Sequence, residues 1–202
     1  SHAASFALLV YVSCWLKRYY PAVFCASILN SQPMGFYAPS QLVRDAREHG
    51  VSVASVDVNH SDWECTLQRS VGSTENSASQ PWQLRLGLLM IRGLAKQIGE
   101  QIVSVRQAGG DYFDLADFTR RTRLGQAVIT RLADAGALAS LTGDRRATYW
   151  QALAQDSSAK ELSLLEATGA DADEPLPEFL QPMQEIEEVY ADYETTGLSL
   201  RT

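Results

Sequence analysis

Residues 88–106 read LLMIRGLAKQIGEQIVSVR: an apolar run, a glycine between an arginine and a leucine, then a second run with apolar residues at helical spacing. No other stretch restricts the fold as sharply. Gly93 lacks a Cβ and can take positive φ, so the chain can turn tightly there between two packed helices. The helix that restarts at Lys96 leaves its first N–H groups without partners in its own turn, at the positive end of its dipole.

A phosphate oxygen satisfies such amides, and Arg92 and Lys96 flank them. Arg92, Gly93, Leu94, Ala95 and Lys96 are therefore candidate contacts to a nucleic-acid backbone, in the manner of a helix-hairpin-helix that holds phosphates without reading bases. The plainer reading stays open: Gly93 closes an αα-hairpin that carries two ordinary surface cations. Ala95 stands where such hairpins usually carry a second glycine.

The pattern recurs in LADAGALASLTGDRR, residues 132–146, where Gly136 divides two helical runs and Arg145 and Arg146 follow. Two such units in tandem predict a compact four-helix module over residues 88–150. Charge distribution agrees with it. Residues 85–150 hold ten Lys and Arg against six Asp and Glu, and 151–202 hold two against twelve, so a middle of +4 is followed by a tail of -10 within a chain of net charge -7. The middle suits a polyanion, and the tail reads as a separate solvated or docking element.

The remaining pattern predicts a mainly α fold. Residues 1–50 read as three helices: Ser1 caps the first, Pro21 and Pro39 open the second and third, and Gly50 closes the last. Uncharged AASFALLVYVSCWL is shorter than the roughly 20 residues that span a bilayer, so the first helix is expected to be buried in protein and no membrane partner is expected. Residues 51–87 read as a connector with one strand in VSVASVDV and a small β-hairpin, its arms WECTLQ and WQLRLGL. DYFDLADFTRRT is a short element with its aromatics inward. Residues 151–202 form an acidic linker and a C-terminal helix, on which Ile186, Val189, Tyr190 and Tyr193 make one apolar stripe fit for docking or for a partner.

Cys14, Cys25 and Cys65 are odd in number and widely spaced, which predicts reduced thiols in a cytoplasmic protein rather than a disulfide framework. His49, His60, Asp62, Glu64 and Cys65 follow no tight metal-ligand spacing, so no metal is expected. No nucleophile with its base, no phosphate loop and no carboxylate constellation points to catalysis. Catalytic residues and cofactors are expected to be absent from this stretch.

SHAASFALLVYVSCWLKRYYPAVFCASILN resembles the late fingers region of the bacterial C-family DNA polymerases, the alpha subunits of polymerase III, and LNSQPMGFYAPSQLVRDAREHGV, VDVNHSDWECTL and LRLGLLMIRGL resemble the error-prone branch of that family. The resemblance implies a fragment that is inactive alone: fingers helices over residues 1–50 and a tandem helix-hairpin-helix over 88–150 that contacts primer–template duplex. The parent nucleotidyltransferase would hold two Mg²⁺ ions in a catalytic palm outside this stretch. Ser1 and His2 match a Ser-His pair near the surface that faces incoming nucleotide. ELSLLE, with Leu162, Leu164 and Leu165, lies where replicative relatives carry a sliding-clamp peptide, yet begins with Glu161 rather than glutamine. Recruitment through repair accessory proteins is the alternative that the error-prone branch implies.

Overall fold

Proline sets the first boundaries. In a computed structural model that describes residues 2–34, 37–69, 82–151 and 183–201, helix α1 (His2–Tyr19) is followed by α2 (Pro21–Asn30) and α3 (Pro39–Glu48), and both prolines sit where a missing N–H costs no helical bond. The Gln41 side chain accepts from the Ala38 amide at 3.2 Å and tightens the start of α3. Lys17 at the end of α1 reaches Asp45 of α3 at 2.8 Å.

The expectation of a buried first helix is corrected. No residue of α1 is buried, and Phe6, Leu8, Leu9 and Tyr11 are each more than 60% exposed. Apolar residues surround this helix on every side, so packing one face on α2 leaves the others uncovered by any described residue.

Strands β1 (Ser52–Ala54), β2 (Thr66–Arg69) and β3 (Trp82–Arg85) form one sheet in the order β1-β3-β2. β2 and β3 are the antiparallel arms expected of the hairpin, with Thr66 opposite Arg85 and Arg69 opposite Trp82. β1 joins the other edge of β3 in parallel, Ser52 opposite Gln83.

Gly87 then carries the chain past the backbone of residues 63–65 so closely that a Cβ there would lie 2.3 Å from the Glu64 carbonyl carbon. Leu88 and Leu89 donate their amides to Asp62 and Trp63. Those two bonds tie the run to the preceding loop, and the expected first helix of the pair shrinks to a 3₁₀ turn at Leu88–Met90.

Helices α4 (Lys96–Gly109), α5 (Leu115–Thr122), α6 (Gln126–Asp134), α7 (Ala139–Thr142) and α8 (145–151) follow, and α9 (Glu185–Thr195) packs back on α6. Asp114 caps α5 by accepting from the Asp117 amide at 2.7 Å, and Asp144 caps α8 through the Ala147 amide at 3.0 Å. One contiguous apolar core runs from Ala22 in α2 through Leu84, Ile102, Phe118 and Leu138 to Leu198 beyond α9. Tyr112 and Phe118 point into it, edge to face at 4.9 Å, whereas Phe113 is 86% exposed. Ser1, the loop at 70–81 and the linker at 152–182, with Leu162, Leu164 and Leu165, lie outside the described residues.

Two outcomes test this packing. Gly87→Ala is expected to cost about 3 kcal/mol, the upper end of overpacking, because the clash is with backbone that cannot rotate away; urea unfolding that matches the parent would contradict it. Burial pushes the Cys25 thiol up to about 12 and the Cys65 thiol up to about 11, while Cys14 is exposed. Thiolate is the reacting form, so at a pH of about 8 a disulfide reagent should label Cys14 quickly and the other two only after unfolding. Equal labelling rates at all three would refute the burial.

Candidate nucleic-acid interface

The Gly93 turn forms as its sequence requires. Gly93 has φ +73°, the Leu94 amide donates to Ile91 O at 3.2 Å, and α4 begins two residues later. Ala95 stands in the N-cap position with extended backbone, and its side chain makes no capping hydrogen bond. Ala95, Lys96 and Gln97 are exposed. The Lys96 and Gln97 amides at the positive end of this helix therefore lie at the surface, while the Ile98 amide donates to Ala95 O at 3.0 Å. Lys96 stands over them with only a surface pairing to Glu100 at 3.7 Å, which its 62% exposure makes weak.

Sequence reasoning missed the group that holds the turn. Arg131, on α6, donates from Nη1 to the Gly93 carbonyl at 2.6 Å, and its guanidinium lies 3.4 Å from where a Gly93 Cβ would be. An arginine of the second unit thus braces the turn of the first. Its place in the sequence, one helical turn before Gly136, offers no signal of this, because the partner is a main-chain carbonyl 38 residues away.

The second turn also forms, with Gly136 at φ +67°. Its surroundings differ. α7 has only four residues, and the Ala137 and Ala139 amides are bonded to Leu132 O and Gly136 O. Arg145 turns inward: its side chain is 9% exposed, and it pairs with Glu188 at 2.8 Å and Asp192 at 2.6 Å on α9. A Cβ on Gly136 would lie 2.8 Å from Arg145 Nη2, so the glycine makes room for this guanidinium. Arg146 reaches Glu187 at 3.1 Å, and Arg201 adds contacts to Glu188 and Asp192.

Arg92 is drawn to the same helix from the other side. Its amide donates to Thr195 O at 2.8 Å and its Nη1 to Glu194 O at 3.3 Å, at the C-terminal end of α9. The acidic helix docks by its carboxylates, and the stripe stays outside: Ile186 is 63% and Tyr190 70% exposed, against 7% for Glu188. Between α6 and the end of α9 lies a cavity of about 550 Å³ lined by Arg92, Arg131, Asp134 and Glu194. Desolvation raises the Asp134 carboxyl above its ordinary range, and Glu194 adds to the effect while Arg145 opposes it.

The other residues singled out in sequence are dispersed. His2 is exposed at the start of α1. His49 Nδ1 lies 2.7 Å from Asp45 O, His60 Nδ1 lies 3.0 Å from Asp57, and Asp62 pairs with Arg106. Among the described residues no three of His, Cys, Asp and Glu converge on a metal position, and no helix is long and apolar enough to cross a membrane.

Comparison with known proteins places this geometry. A family described as helix-hairpin-helix motif matches residues 50–148, which include both glycine turns. Along its whole length the chain is 52% identical to an error-prone DNA polymerase of Rhodopirellula baltica and 48% identical to one of Anaeromyxobacter dehalogenans, and covers 17% of each. It is 44% identical to error-prone DNA polymerase 1 of Rhizobium meliloti, of which it covers 19%. The chain thus spans less than a fifth of the length of these relatives.

The two turns should answer differently to the same substitution. Gly93→Ala meets only a side chain at 3.4 Å and is expected to cost about 1–2 kcal/mol through its positive φ alone. Gly136→Ala carries the same φ penalty and must also displace a buried, paired arginine, so it should be the more destabilising of the two in urea melts. The reverse order would show that Arg145 is not seated on Gly136.

Proposed function

We propose, from the premise that this chain is a segment of the error-prone DNA polymerase family, that it gives such a polymerase its sequence-independent hold on primer–template duplex. The observation that carries this reading is the α4 start at Gly93: outward amides, a flanking Lys96 and a braced positive-φ turn within the matched helix-hairpin-helix. Phosphate oxygens fit those groups, and base edges are not needed. The first three helices serve as fingers structure beside the active site of the larger enzyme.

Chemistry belongs to the rest of that enzyme. Two Mg²⁺ ions there would stabilise an in-line phosphoryl transfer, and no step of that transfer is assigned to this chain. Damage-tolerant synthesis during repair, in the cytoplasm where bacterial DNA lies, is the setting we assign to it.

A second role has its own support. The exposed Ile186, Tyr190 and Tyr193 on α9 suit recruitment of an accessory protein, the alternative to a clamp peptide at residues 162–165.

Lys96→Ala tests the main reading. Binding to duplexes of unrelated sequence should weaken by the same factor for each, and the slope of log affinity against log salt should flatten by about 0.9, the loss of one phosphate contact. Unchanged affinity and slope would remove the proposed grip.

A further inference from the structure

Lys96 is alone among the cations assigned to phosphate in facing outward without a bond to α9. Arg92 donates twice to the C-terminal carbonyls of that helix, Arg145 pairs with Glu188 and Asp192, and Arg146 pairs with Glu187. One acidic helix therefore engages three of the four, and it touches both glycine turns at once.

We propose that α9 is an intramolecular competitor of the duplex: a charge-matched cover that occupies the arginines of both hairpins and holds DNA affinity down until duplex phosphate displaces it. This rests on the phosphate-binding reading of the Gly93 turn and adds its regulation.

The docking is suited to displacement. α9 carries Glu185, Glu187, Glu188, Asp192 and Glu194, a charge of -5 set against the +4 of residues 85–150, so the basic field of the middle is cancelled while the helix is in place. The negative end of its dipole points at Arg92 beside the Gly93 turn, where it repels an incoming phosphate. The contact uses the acidic face, and Ile186, Tyr190 and Tyr193 remain in solvent, so lifting the helix does not uncover its main apolar stripe. Leu198, 3% exposed, anchors the chain just beyond. Gly197, at φ +79°, passes over the Arg92 guanidinium, where a Cβ would lie 2.9 Å from Nη2. Thus α9 ends in a glycine turn that is followed at once by a buried leucine. Arg145 Nε is buried without a hydrogen-bond partner, so even the docked state leaves this guanidinium incompletely satisfied.

The test neutralises the cover in the whole chain. Glu187→Gln, Glu188→Gln and Asp192→Asn together should tighten binding to a random-sequence duplex by roughly tenfold or more at low salt. The slope of log affinity against log salt should steepen by up to about 2.7, or about 0.9 for each arginine freed. Unchanged or weaker binding, with the helical circular dichroism retained, overturns the proposal. Should the triple variant lose that signal, Glu187→Gln alone neutralises the carboxylate that faces the half-exposed Arg146 and leaves the buried cluster intact; a slope steeper by up to about 0.9 supports the cover, and no change overturns it. Lys96→Ala, measured beside them, separates the two readings. If it weakens binding and the carboxylate variants do nothing, only the cover fails. If none of these variants moves affinity or slope, the phosphate-binding reading fails as well.

Discussion

The arrangement of both hairpins depends on the loop at residues 57–62 and on the arginine that fills it. Arg106, at the end of α4 and 11% exposed, donates to Val58 O at 2.7 Å and Ser61 O at 2.8 Å and pairs with Asp62 at 2.8 Å. The same loop gives its Val58 amide to Ala137 O in the second turn, accepts at Asp57 from Ser140 of α7, and exchanges two bonds between Asn59 and Tyr112. Strand connector, first hairpin and second hairpin are thereby fixed through main-chain and side-chain groups of one short segment. Asp62 is half-exposed, so its ion pair alone contributes little; loss of Arg106 would instead leave the Val58 and Ser61 carbonyls without their donor and loosen three elements at once.

Much of the backbone was legible because its signals are local. Pro21 and Pro39 open helices, Gly93 and Gly136 adopt positive φ, and Asp144 caps α8. Each outcome follows from the residue's own covalent structure or from a neighbour within four positions. The first arm of the first hairpin was misread for a non-local reason: the Leu88 and Leu89 amides are bound by carbonyls 26 positions earlier in the chain. No periodicity of the run itself reports that. The error at α1 is of another kind. Its apolar residues were read correctly as seeking burial, but an apolar surface on every side needs neighbours on every side, and α1 packs chiefly on α2, with Lys17 reaching α3.

Charge was the least legible property. The sequence puts ten cations in residues 85–150, but where a guanidinium points depends on which carboxylate the fold brings near it. Asp117 takes Arg120 and Arg121 within α5, Asp62 takes Arg106, and α9 takes Arg145 and Arg146. Arg131, unremarked in sequence, braces the Gly93 carbonyl. A net charge of +4 therefore overstates the field available to a ligand. The stripe on α9 repeats the lesson. Its 3.6-residue period identified a helix, but the buried face is set by the arginines it meets, and the acidic side went inward.

The two glycine turns, similar in sequence, consequently differ in chemistry. After Gly93 a helix of 14 residues begins uncapped, so its dipole and first amides are offered outward. After Gly136 the helix has four residues, too short for an appreciable dipole, and the Ala137 and Ala139 amides are spent within the turn. Arg145, which follows, sits in the space left by the missing Gly136 Cβ and faces α9. A duplicated motif has thus divided its work: one copy keeps a free helix start, and the other has become the platform on which the acidic helix rests. The brace from Arg131 to Gly93 joins the copies, so α6, against which α9 packs, is bonded directly to the first turn.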